Sequence, residues 1–227
     1  MFTRRLFIGM VWNTLVFGTA LFWPAGTFDW WRAWILLGVI AVSSVITMVA
    51  VFRTRPDLLR ERLKGVIQKG QPIVDRFIVV TFVFAYGMSI AFIPLDVFHF
   101  HLLPKPNIVV SSFGLLLVVA GWWIISLVFR ENAFAVPVVR HQTEREHHVI
   151  DTGVYAVVRH PMYAGIFLFN VGMALWLESY AAAIATLVPI GLLALRIVFE
   201  ERFLRRELPG YDAYAGRVRY RLLPYVW

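Results

Sequence analysis

Gly153-Val154-Tyr155-Ala156-Val157-Val158-Arg159-His160-Pro161-Met162-Tyr163-Ala164-Gly165 carries the chain from a polar connection into an apolar segment, and the reading of that join decides the fold. Asp151-Thr152-Gly153, just before it, has the composition of a turn. Proline disfavours helical geometry in the residue before it, and fits the first turn of a helix, where a missing N–H costs nothing. The join therefore predicts a helix that starts at Pro161, with Arg159 and His160 at its mouth beside amides that favour negative charge. Gly165, one turn further in, allows a neighbouring helix or a ligand to come close.

Outward from this join the chain is strongly apolar. Hydrophobic residues make up 59% of 227 positions and charged residues only 16%, against about a quarter charged in a soluble domain. Apolar segments lie at about 6–23, 31–52, 74–95, 108–129, 162–177 and 180–199. Several reach the roughly 17–25 residues that cross a ~30 Å hydrocarbon core as helix. The expected fold is an all-α integral membrane protein of about six transmembrane helices, with a C-terminal helical hairpin and a cytosolic cap. The hairpin spans 162–199, with Glu178, Ser179 and Tyr180 at its tip. Met1 to Arg5 resembles the charged start of a signal peptide. No convincing small-residue cleavage site follows, so the segment reads as a retained first helix. Trp23, Trp30 and Trp31 bunch where two spans meet an interface.

Charge sets the expected orientation. Of the 22 Lys and Arg residues, all but Arg32 and Lys105 fall on one side of the bundle, which places both termini and three basic loops in the cytoplasm. The expected location is a multi-pass place in a bacterial inner membrane. The formal charge of +8 then reflects attraction to anionic lipids. The arginines sit at the ends of separate helices without a recognition motif, so nucleic acid is not an expected partner. Residues 1–130 read as membrane helices with a cytosolic amphipathic loop at 53–73, where Leu58, Leu59, Leu63 and Ile67 recur at helical spacing. Residues 131–227 read as the functional region, ending in a basic tail. With no cysteine, thiolate chemistry is excluded. His141, His147, His148 and His160 form no helical metal-binding pattern, so no metal is expected. Val138, Val139, Val149 and Ile150 allow short extended stretches.

A second polar group ends the last span. Arg196 and Glu200 are four apart, share a helix face and can pair, while Glu201 points about 100° away. One carboxylate can then satisfy the arginine while the other meets a ligand amine. Tyr211 and Tyr214, after the Pro209-Gly210 turn, form one aromatic face. Each group by itself also suits a plain interfacial anchor.

Together the two groups resemble the isoprenylcysteine carboxyl methyltransferase family, within the broader set that includes phospholipid N-methyltransferases. The resemblance rests on Gly153, Tyr155, Arg159-His160-Pro161, Tyr163 and Gly165, then Arg196, Glu200-Glu201 and Leu204, then Pro209-Gly210-Tyr211 and Tyr214. Upstream of 150 it rests only on Arg55-Pro56-Asp57-Leu58-Leu59. The resemblance implies a membrane helix bundle that binds S-adenosylmethionine without a Rossmann domain, and the chain has no G-x-G-x-x-G after a predicted strand. It implies cofactor binding by His160, Pro161, Tyr163, Glu201, Tyr211, Tyr214 and Tyr155. Arg196 and Arg159 become candidates for gripping a substrate carboxylate or phosphate, and Glu200 joins them as a catalytic candidate. A lipidic substrate would enter from the bilayer. Carboxyl O-methylation and amine N-methylation both stay open, as do an NADPH-dependent sterol-type reductase and a transporter or assembly factor.

Overall fold

The computed structural model describes residues 2–68, 70–139, 145 and 147–227, with side chains from Thr14 onward. Lys69, Arg140 and His141, and the side chains of Arg4 and Arg5, lie outside the described residues. The helices are α1 Phe2–Ala25, α2 Trp31–Thr47, α3 Pro56–Arg62, α4 Ile73–Leu95, α5 Ile108–Glu131, α6 Pro161–Trp176, α7 Tyr180–Ala185, α8 Leu187–Glu207 and α9 Tyr211–Arg217. A π-helical turn extends α2 to Phe52, and another extends α4 to Phe100. No strand occurs among the described residues, so Val138, Val139, Val149 and Ile150 pair in no sheet.

Trp31–Phe52, Ile73–Phe100, Ile108–Glu131 and Tyr180–Glu207 are each long and apolar enough to cross a membrane. Their outward faces carry large apolar side chains such as Phe77, Phe84, Leu116 and Trp123, all more than half exposed. In water such a surface would drive association, whereas against lipid it is solvated. The chain is a multi-pass integral membrane protein. Of the three tryptophans expected at one interface, Trp23 and Trp31 face outward, while Trp30 is buried edge-on against Phe98.

The local rules at the helix starts hold. His160 sits outside α6 at φ −123°, and Pro161 opens the helix. Asn107 caps α5 by accepting from the Val110 amide at 3.0 Å, and Ser179 caps α7 through the Ala182 amide at 2.8 Å. Helix α3 is shorter than the amphipathic pattern suggests. It ends at Arg62, Gly65 follows at φ +83°, and only Leu58 is buried while Leu63 and Ile67 stand exposed.

The closest pair of helices is α5 with α6, not the two arms of the expected hairpin. Two glycines seven apart on α5 meet two glycines seven apart on α6. A Cβ on Gly114 would lie 2.8 Å from the Gly172 carbonyl oxygen, and one on Gly121 would lie 2.6 Å from that of Gly165. Only glycine permits this backbone approach, which replaces the hydrophobic effect as the source of helix association in lipid. Helix α8 packs instead along α4 and touches α6 mainly through side chains at one end. Beyond the Gly121–Gly165 crossing, α5 runs on to Glu131 but α6 begins at Pro161, so α5 overhangs by about six residues, or ~9 Å. That recess, at the basic end of the bundle, is where the polar connection, α8, α9 and the tail converge.

Candidate active site

The mouth of α6 is held by the tail. The Arg159 amide donates to the Tyr220 carbonyl at 3.0 Å and the His160 amide to the Arg221 carbonyl at 2.8 Å. The tail closes on itself, since the amides of Arg221, Leu222 and Leu223 all donate to the Trp227 carbonyl oxygen. Both residues lie outside α6 and are buried, so without the tail these amides would be left unpaired in a buried place.

Glu201 lies beneath this junction and is nearly inaccessible. Its Oε1 accepts from Arg159 Nε at 2.6 Å and from His160 Nε2 at 3.2 Å, and its Oε2 accepts from Arg221 Nε at 3.0 Å. One carboxylate thus ties α8 to the α6 mouth and to the tail. Arg159 also donates from Nη1 to the carbonyls of Val218 and Arg219, at 2.6 and 2.9 Å. Charge-assisted bonds of this kind are about twice as strong as neutral ones, and burial demands that every member be paired.

Arg196 and Glu200 share a face of α8, but they do not form the ion pair that their spacing allows. Arg196 Nε donates to Asp75 Oδ1 at 3.0 Å, and Nη2 donates to the Pro137 carbonyl at 2.7 Å. Asp75 comes from the first turn of α4, 121 residues away in sequence. Glu200 instead accepts from Tyr163 Oη at 2.6 Å. Tyr163 stacks its ring parallel to His160 at 5.6 Å, and the Arg196 guanidinium lies 5.8 Å from the centre of the same ring.

These groups surround one cavity of about 840 Å³, its open mouth included. Tyr155, Arg159, His160, Pro161, Tyr163, Arg196, Glu200, Tyr211 and Tyr214 all line it, and of the residues expected to bind cofactor or act in catalysis only Glu201 is absent from its wall. Tyr211 and Tyr214 meet edge-on at 5.7 Å, both buried. Tyr214 Oη donates to the Tyr155 carbonyl at 2.8 Å, and Tyr155 Oη accepts from Asn132 Nδ2 at 2.9 Å. Tyr211 Oη is buried with no hydrogen-bond partner among the described residues. Burial raises the phenols of Tyr211 and Tyr214 above the ordinary tyrosine range, and for Tyr211 the charge of Glu201 adds to it. Both are therefore neutral donors at physiological pH.

Besides the Tyr211 hydroxyl, other cavity-lining side chains keep a polar atom without a partner among the described residues. Arg159 Nη2, Arg196 Nη1 and Glu200 Oε1 have no partner, although each residue lines the cavity. The cavity therefore offers two fixed guanidinium nitrogens, one carboxylate oxygen, one orphaned phenol and several aromatic faces. It can hold a ligand bearing both charges.

Sequence reading missed Asp75 and the structural part played by Arg221. Asp75 carried one signal, a lone carboxylate at the start of an apolar span, where an ionisable group needs a partner. Arg221 carried none beyond a basic tail.

Residues 109–209 match the family model described as phospholipid methyltransferase. The chain is 35% identical over 121 residues to a probable protein-S-isoprenylcysteine O-methyltransferase of Oryza sativa subsp. indica, covering 52% of this chain and 62% of that protein. It is 30% identical over 117 residues to protein-S-isoprenylcysteine O-methyltransferase B of Arabidopsis thaliana, covering 48% of this chain and 57% of that protein. The chain thus spans about three-fifths of the length of these relatives. Its fold is similar to that of the eukaryotic intramembrane Ras methyltransferase isoprenylcysteine carboxyl methyltransferase, with a TM-score of 0.55 and 20% identity, covering 93% of this chain and 73% of that one. These similarities bear out the resemblance carried by the motifs and the all-helical membrane fold.

Proposed function

We propose that this chain is an S-adenosylmethionine-dependent methyltransferase that methylates the carboxylate of a lipidic, isoprenylcysteine-type substrate. The observation that carries this reading is the pair of anchored arginines, each with a terminal nitrogen left open on one cavity with Glu200 and the orphaned Tyr211 hydroxyl. The catalytic region is 131–227, with Asp75 joining it from the membrane helices of 1–130. The basic end, and with it both termini, faces the cytoplasm. Lipid substrate arrives from the bilayer, and anionic headgroups attract the basic loops.

The residues fit the cofactor's chemistry. S-adenosylmethionine carries an ammonium, a carboxylate, hydroxyls and a sulfonium, and when bound it supplies an electrophilic methyl group. Glu200 Oε1 accepts from the ammonium, Tyr211 Oη completes a hydrogen bond that the free protein lacks, and the aromatic faces favour the cation. His160, Pro161, Tyr163, Tyr155 and Tyr214 shape the wall. Glu201 acts from beneath by fixing Arg159 and His160.

A substrate carboxylate, with a reference pKa of about 3.3–3.7, is ionised at neutral pH and needs no general base. The arginine nitrogens hold its non-attacking oxygen, which fixes the angle of attack, while the apolar wall excludes water. A second reading, N-methylation of an amine, draws on the phospholipid methyltransferase match. It would require Glu200 or His160 to take a proton.

Incubation of purified protein with methyl-labelled S-adenosylmethionine, an N-acylated S-prenylcysteine and an amine-headgroup phospholipid separates the two. The proposal expects base-labile label, released as methanol, at a rate flat between about pH 6 and 9, because the carboxylate is ionised throughout. Base-stable label on an amine lipid, at a rate rising with pH, would support N-methylation instead.

A further inference from the structure

Arg159 and Arg196 sit on different segments but are held by one device. In each, a buried carboxylate takes Nε, and backbone carbonyl oxygen takes one terminal nitrogen, two carbonyls for Arg159 and one for Arg196. The other terminal nitrogen has no partner among the described residues, on a side chain that lines the cavity. For Arg159 the carboxylate is Glu201. For Arg196 it is Asp75, which no motif marks.

Asp75 is buried, and its oxygens bind three elements. Oδ1 accepts from Arg196 Nε at 3.0 Å, while Oδ2 accepts from the Val139 amide at 2.9 Å and from Gln71 Nε2 at 2.8 Å. Arg196 returns to the same stretch through the Pro137 carbonyl at 2.7 Å. The ion pair therefore clasps residues 137–139 from both partners, and Val138 and Val139 form cavity wall. Without Asp75 the guanidinium has an alternative partner close by, since Glu200 lies one helical turn away on the same face of α8. Pairing there would consume both the open arginine nitrogen and the open carboxylate.

We infer that Asp75 is a positioning residue for the methyl transfer proposed above: it holds Arg196 away from Glu200, so that Arg196 Nη1 meets the acceptor's carboxylate. The inference rests on that proposal. Asp75 itself is not part of the cavity wall, so it acts through Arg196.

The test uses full-length protein in detergent. It measures methyl-transfer kinetics with an N-acylated S-prenylcysteine, and calorimetric binding of S-adenosylhomocysteine, which needs no turnover. For Asp75→Asn the expected result is an acceptor KM raised by roughly ten- to a hundredfold, the scale of a misplaced binding group. S-adenosylhomocysteine affinity should fall by much less, and Asp75→Glu should recover part of the loss. If Asp75→Asn does not fold, Arg196→Lys carries the same test. Lysine keeps the charge beside Asp75 but lacks a second nitrogen to present, so its acceptor KM should rise in the same way. An unchanged acceptor KM in a folded variant, with only thermal stability lowered, overturns the inference, as does an equal loss of acceptor and S-adenosylhomocysteine binding. Wild-type protein that binds no S-adenosylhomocysteine overturns the methyltransferase reading itself.

Discussion

Each end of the bundle buries an arginine, and the two ends treat it differently. At the end opposite the basic loops, Arg32 donates from Nη1 to the Trp176 carbonyl at 3.0 Å, and Nη2 pairs with Glu178 at 3.1 Å. The guanidinium lies 4.7 Å from the ring centres of both Trp31 and Trp176, and the Trp176 indole donates back to the Arg32 carbonyl at 2.9 Å. Both terminal nitrogens are used, and the guanidinium packs into the corner between two indoles that meet edge-on at 5.7 Å. That arginine is a staple. At the basic end Arg159 and Arg196 spend Nε on a carboxylate and keep a terminal nitrogen open on a cavity. The difference shows that a buried arginine in a membrane bundle is informative through which nitrogens remain unspent, rather than through its burial or its ion pair.

The largest expected effect falls on the clamp of the open end. Glu201→Ala strands Arg159, His160 and Arg221 together, and breaking a buried pair from one side costs about 3–5 kcal/mol. Thermal unfolding in detergent measures it, and a loss below the range for surface substitutions would remove Glu201 from the clamp. Arg32→Ala should cost less, about 1–3 kcal/mol, because it leaves one carbonyl and a Glu178 that is already a quarter exposed. Its S-adenosylhomocysteine affinity should stay at the wild-type value. A large loss of affinity would break the contrast between the two ends.

Tyr211→Phe sharpens the contrast through opposite signs. Removing a buried hydroxyl that has no partner should leave the ligand-free protein as stable or slightly more so, while ligand affinity falls by roughly fivefold to tenfold, about 1 kcal/mol for one hydrogen bond. Calorimetry and melting on the same sample give both readings. A destabilised free protein with unchanged affinity would mean that the hydroxyl serves the fold. The smallest effect is expected at Arg60, whose pair with Asp57 is largely exposed. Arg60→Ala should change stability by less than about 0.5 kcal/mol and leave binding untouched.

Much of this architecture was legible because it follows local rules. The proline rule put His160 outside α6, and three-residue spacing joined Tyr211 to Tyr214 on α9. Gly165 announced a close approach, and the partner turned out to be Gly121. What escaped depends on distant partners. Helical spacing offered Glu200 to Arg196, but a buried guanidinium takes the carboxylate that geometry presents at Nε, and that was Asp75 from another helix. The hairpin at 162–199 looked tight because only three polar residues divide its arms. Small residues on α5 drew α6 away, and the spacing of Gly114 and Gly121 gains meaning only beside that of Gly165 and Gly172. The tail pairs through backbone groups of irregular chain, which leave no periodic pattern in the side chains.

The most direct measurement is a calorimetric titration of detergent-purified protein with S-adenosylmethionine, run on the wild type, Arg32→Ala and Tyr211→Phe. The account predicts one saturable site that Arg32→Ala leaves unchanged and Tyr211→Phe weakens. Absence of binding to the wild type, or equal weakening by both substitutions, would contradict it.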